Sequence, residues 1–265
     1  MTIYWRYLKS ERLSALLYAL ALLACGYVMV VIFPSIARIQ MAQEYIDAMP
    51  PVMQAFIGQE IMDITTLEGF LTVEYFNTTW LLIMGVFSCL FAGALVAEET
   101  ERRTLEILLS TPVTRTRFVA SKVAGFLTLL ILLALASFLG LSLGMTQIGE
   151  RIEARLMIYV FLTGTVCVAT IGSIALWFSC LFNGQRRAVG VAIVVFILVY
   201  VFNVVAVLLE QYPILGYLSL MHYYDASKIL RQQGIHWPDM AILLGVFSVM
   251  VGASIVTFRR KEIYV

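Results

Sequence analysis

Residues 97–122 read AEETERRTLEILLSTPVTRTRFVASK, an island of charge between long apolar runs. It holds four acids (Glu98, Glu99, Glu101, Glu106) and five bases (Arg102, Arg103, Arg115, Arg117, Lys122). Residues 104–109 have the makings of a short apolar helix. Ser110-Thr111-Pro112 should halt it, because proline disfavours helical geometry in the residue before it. Thr114 then offers an N-cap, from which a second helix is expected to run through Lys122 into the next apolar run.

Outside the island the composition is that of a membrane protein. Of the 265 residues, 61% are hydrophobic and 13% charged, which excludes an ordinary soluble domain. Six uncharged runs lie at about 13–33, 75–96, 123–143, 156–182, 188–209 and 240–258. Each has about 19 residues or more, enough to cross roughly 30 Å of hydrocarbon as a helix. Backbone groups in lipid must be satisfied within the segment, and no period-2 alternation marks a barrel. The expected fold is therefore all-α: a polytopic membrane protein of one domain, residues 1–265, with six transmembrane helices. Residues 1–12 mix Tyr4, Trp5 and Tyr7 with Arg6, Lys9 and Arg12, the composition of an interfacial helix. The first run is long enough to span and no small-residue cleavage pattern follows it, so it is expected to stay in the mature protein.

Two larger loops, 34–74 and 210–239, fall on the same side. In the first, Thr65-x-x-Glu68 resembles a capping box, so the second span is expected to begin near Thr66. The second carries Tyr212, Tyr217, Tyr223, Tyr224 and Trp237 with Pro213, Gly216 and Gly234, and could dip into the membrane and return. The opposite side, with the N-terminus, the 97–122 island, the 183–187 turn and the C-terminus, collects thirteen of the eighteen Lys and Arg residues. The positive-inside rule places that side, and both termini, in the cytoplasm.

Catalytic constellations are missing from the sequence. His222 and His236 are its two histidines, and neither G-x-S-x-G nor a phosphate-binding Gly-Lys-Ser/Thr loop occurs. His222 with Asp225 could form a metal pair on paper, but a polar interfacial loop accounts for both, and no metal site is expected. The four cysteines all sit in apolar runs and read as small buried residues. Glu74, Asn77, Thr78, Thr79 and Trp80 put polar groups at the outer edge of the second span, and Asn203 and Trp177 are further such points. Glu74, Asn77, Thr78, Trp80 and Asn203 could line a substrate path; Asn and Thr equally serve as hydrogen-bonded glue between helices. The island offers two readings as well. Leu105, Leu108 and Leu109 could fill a recess on a soluble partner while Glu98, Glu99, Glu106, Arg115 and Arg117 pair around its rim. Alternatively it is a plain loop whose bases set topology.

The string Glu98-Glu99, then Thr104-Leu105-Glu106, Leu108-Leu109-Ser110, Pro112-Val113-Thr114-Arg115 and finally Lys122 resembles the first cytoplasmic loop of ABC-2 type ABC transporter permeases. That loop reads approximately E-E-x-x-x-G-T-L-E-x-L-L-S-x-P-[VI]-[ST]-R, and Arg103 stands here where the family usually has Gly. The resemblance implies a permease subunit without catalytic residues or cofactor of its own, in a prokaryotic cytoplasmic membrane. Two copies of a separate ABC ATPase would carry the ATP and Mg, and a second permease copy or a related permease would complete a dimer. Membrane lipid is an expected partner and nucleic acid is not. A coupling helix at about 101–111 would dock on the ATPase, with contacts from Glu98, Glu99, Arg102, Thr104, Leu105, Glu106, Leu108, Leu109, Pro112, Arg115, Arg117 and Lys122. The implied activity is export of a hydrophobic or amphiphilic substrate. The rival is a non-transporting scaffold that recruits an ATPase.

Overall fold

No glycine or proline interrupts residues 2–25, so nothing releases the backbone hydrogen-bond ladder there. The computed structural model, which describes residues 2–37, 66–102, 114–208, 216, 219–231 and 234–261, accordingly shows one helix, α1, over Thr2–Ala37. Residues 2–12 belong to this helix and continue unbroken into the first span. At about 1.5 Å per residue the helix outreaches the hydrocarbon layer by several turns.

The second span is a succession of pieces: α2 (Leu67–Phe70), a π-helical stretch (Leu71–Trp80), α3 (Leu81–Ala94) and the stub α4 (Ala97–Glu101). Its start is capped by Thr66, whose Oγ1 accepts from Gly69 N at 3.1 Å. The third helical residue is therefore Gly69 and not an acid; Thr65, the first member of the capping box read from the sequence, lies outside the described residues. In the π stretch, Thr78 Oγ1 donates to Val73 O (2.9 Å) and Thr79 Oγ1 to Glu74 O (2.7 Å), each five residues back.

The remaining spans are α5 (Arg115–Ile148), α6 (Ala154–Leu181), α7 (Gln185–Leu208) and α9 (Trp237–Arg260). Between the last two, a 3₁₀ turn (Leu220–Tyr223) and the short α8 (Ala226–Arg231) fold back against the bundle. Six helices are long and apolar enough to cross a membrane, and the described residues include no strand. The fold is an all-α polytopic membrane protein.

Two packing centres hold it. α1 lies along α5, where Gly140 and Gly144 form a G-x-x-x-G step. A Cβ at Gly140 would overlap the carbonyl oxygen of Leu23, and one at Gly144 would come 2.7 Å from Val30 Cβ, so only glycine permits this approach. The other centre is α6, which contacts α3, α7 and α9. Trp80, fully buried, packs on Phe161 and Tyr224 and donates through Nε1 to Ser137 Oγ at 3.1 Å. The folded-back segment reaches the level of Cys167, halfway along α6, whose Sγ contacts Leu220 O at 3.7 Å.

Overpacking of this kind costs about 1–3 kcal/mol, so Gly140→Ala should lower the thermal midpoint in detergent. Gly190→Ala, with no neighbour within 4 Å among the described residues, should leave it unchanged or raise it slightly through helix propensity. Equal midpoints for the two variants would contradict the close α1–α5 approach.

Candidate functional site

One end of the bundle, here called the basic end, gathers the start of α1, the end of α4, the start of α5, the turn between α6 and α7, and the end of α9. The first half of the charged island is bolted to it through α4. Ser179 Oγ of α6 accepts from both Val96 N and Ala97 N at 2.9 Å, closing two of the amides that a helix start leaves open. Glu101 Oε2 accepts from Gln185 N at 2.7 Å, an acid set on the amide end of α7. Glu99 Oε1 meets Lys122 Nζ of α5 at 3.0 Å, with the two side chains 18% and 8% exposed. The Lys122 ammonium also lies 5.0 Å from the centre of the Tyr7 ring and 5.8 Å from that of Phe118. Glu98 pairs with Arg102 at 2.9 Å, but the Arg102 side chain is 70% exposed and the pair is a solvated surface contact.

From Thr114 onward the island is held as well. Thr114 caps α5 as its sequence predicts, its Oγ1 accepting from Arg117 N at 3.3 Å. Arg117 is exposed. Arg115 turns instead to the end of α9: its Nη1 lies 3.2, 3.1 and 2.8 Å from the carbonyl oxygens of Phe258, Arg259 and Lys261. Its guanidinium is 5.9 Å from the Phe258 ring, which stacks on Phe118. Lys261 Nζ in turn donates to Cys180 O (3.0 Å) and Phe182 O (2.9 Å) at the end of α6, where burial holds its ammonium below the ordinary lysine value. Thr104, Leu105, Glu106, Leu108, Leu109 and Pro112 lie outside the described residues.

A cleft of about 760 Å³ opens beside this network, between α1 and α7 with α3 and α4 behind. Arg6, Glu11, Arg186 and Lys122 contribute charge to its wall, Phe91 and Val189 apolar surface.

The polar residues of the second span have separate placements. Glu74 is exposed. Asn77 Oδ1 accepts from Ala226 N at 3.2 Å and so ties the folded-back segment to the π stretch. Thr78 bonds its own helix, Trp80 belongs to the core, and Asn203 is half-buried on α7. Asp225 is taken up as a local cap, Oδ1 accepting from Ser227 N at 2.9 Å. His236 Nδ1 sits 2.8 Å from Asp239 Oδ2. Among the described residues no group of three or more His, Cys, Asp or Glu side chains could hold a metal.

Sequence reasoning missed Glu101, Ser179, Gln185 and Lys261 as parts of this site. Ser179 is an unmarked serine in an apolar run, while Lys261 was visible as a base that sets topology.

The geometry defines a polytopic helical membrane protein whose charged loop is braced on both sides by neighbouring spans. The family model for ABC-2 family transporter proteins matches residues 10–263, and the chain belongs to that family, as a membrane subunit of an ABC transporter. No curated protein matches it.

Removing one member of a buried ion pair costs about 3–5 kcal/mol because the other charge is stranded. Lys122→Met should therefore lower the melting midpoint substantially. The double variant Glu99→Gln/Lys122→Met should lose clearly less than the sum of the two singles, and additive losses would show that the pair is not coupled.

Proposed function

We propose that this chain is the permease subunit of an ABC exporter and that the 97–122 island is where a separate ATPase takes hold of it. The observation that carries this reading is the bracing of the loop. α4 before it is bonded to α5, α6 and α7, and Arg115 after it is bonded to α9. A push on residues 103–113 is then delivered to spans and not absorbed by slack chain. A loop that only set topology would need its bases, but not these bonds.

On this reading the basic end faces the cytoplasm of a prokaryotic cell, as the distribution of Lys and Arg indicates. ATP and Mg are held by the partner, in two copies, and a second permease completes the translocation path. Leu105, Leu108, Leu109 and Glu106 make the docking contact, with Glu98, Arg102 and Arg117 on its rim. The cleft between α1 and α7 suits an amphiphile, with charge for a headgroup and Phe91 and Val189 for its apolar part. The scaffold alternative draws support from one finding: Trp80 and Asn77, two of the residues suited to a substrate path, are engaged within the bundle.

The test is ATP hydrolysis by the candidate ATPase with this chain in nanodiscs. Like-charge juxtaposition at an interface costs several kcal/mol. Glu106→Arg should therefore abolish stimulated turnover while insertion and melting stay as in wild type. Undiminished stimulation by the variant would remove the island from the coupling role.

A further inference from the structure

Arg115 is the first residue of α5, and its charge is the wrong one for that place. The amide end of a helix carries partial positive charge and favours acids, whereas cations belong at the carbonyl end. The arginine fits because α9 ends beside it. α5 and α9 run in opposite directions at the basic end, so the start of one faces the last carbonyls of the other. Those carbonyls lie at the solvent-facing end of the bundle, where water would satisfy them without help.

α9 packs mainly along α6. Along its length Met240, Leu243, Ser254 and Phe258 are its buried residues. Towards its far end Thr170 Oγ1 of α6 donates to Leu243 O at 3.1 Å. At the basic end Trp177 Nε1 bonds Thr257 Oγ1 (3.2 Å), while Arg115 and Lys261 bond α9 to the starts and ends of α5 and α6. The links close a ring: α4 to α6 through Ser179, α6 to α9 through Lys261, α9 to α5 through Arg115, and α5 back to α4 through the Lys122–Glu99 pair.

We infer that Arg115 and Lys261 are positioning residues that carry displacement of the 103–113 loop into α9, so that the sixth span moves with the coupling loop. Arg115 is the second described residue after that loop, so a shift of the loop reaches its guanidinium within one helical turn. Hydrogen bonds from a charged donor are roughly twice as strong as neutral ones, and together with the Phe118–Phe258 stack they join the end of α9 to the start of α5. The inference rests on the coupling reading above and specifies its route.

The experiment compares wild type, Arg115→Gln, Arg115→Lys and Lys261→Gln in nanodiscs with the candidate ATPase. It measures docking affinity, and kcat and KM for ATP. Each Gln variant loses a charge-assisted clamp, so stimulated kcat should fall about tenfold. Docking affinity and KM should stay at wild-type values, and Arg115→Lys should recover most of the stimulation. Lys261→Gln leaves the loop and α5 untouched and keeps the test open if Arg115→Gln does not fold. Full stimulation in the Gln variants that fold, or docking lost in step with kcat, would overturn the inference while leaving the coupling reading intact. A wild-type chain that neither docks nor stimulates would overturn both.

Discussion

A helix end leaves backbone amides or carbonyls without partners inside the helix, to be met by side chains, neighbouring helices or water. This constraint shapes the basic end of the bundle. Ser179 closes amides of α4, Glu101 one of α7, Thr114 one of α5, Arg115 the carbonyls of α9 and Lys261 those of α6. All but Thr114 reach across to another span. The requirement that each helix be finished is thus met by means that also join the helices, and the joints fall on either side of the charged loop. Local capping alone would have given six sound helices with no mechanical connection between their ends.

The bundle interior follows a different rule. Apolar side chains gain little by choosing each other over lipid tails, so close approach and hydrogen bonds decide which helices pair. Gly140 and Gly144 let α1 and α5 touch at backbone distance. Trp80, Ser137 and Asn77 supply specific bonds near the π stretch, which widens the second span where the folded-back segment meets it. The threonines that bond carbonyls five residues back belong to the same local geometry.

The spans, the all-α fold and the N-cap at Thr114 were legible because each depends on local pattern: run length, absence of charge, and a hydroxyl before a helix. The unbroken α1 was not read, since aromatic and basic residues suggest an interface while only missing breakers decide continuity. The π stretch left no signal because two adjacent threonines are common in ordinary helices. The start of the second span was read to within one residue. What local pattern cannot carry is the choice of partner across the bundle. Arg115 beside Pro112 and Thr114 looks like a rim charge awaiting another protein. Its actual acceptors lie more than a hundred positions on, at Phe258, Arg259 and Lys261.

That distinction divides the island into two layers. Glu99, Glu101, Lys122 and Arg115 are spent inside the chain, holding α4, α5, α7 and α9 to one another. Arg102 and Arg117 are turned to solvent on either side of residues 103–113 and remain available to a partner. On the coupling reading, a family motif written as one string would carry two separable jobs, one toward the soluble side and one toward the spans. Substitutions in the inner layer should alter how the bundle answers a docked partner, and those in the outer layer whether a partner docks at all. Neighbouring positions in the sequence can therefore differ in kind, because which way a side chain turns depends on helices far along the chain.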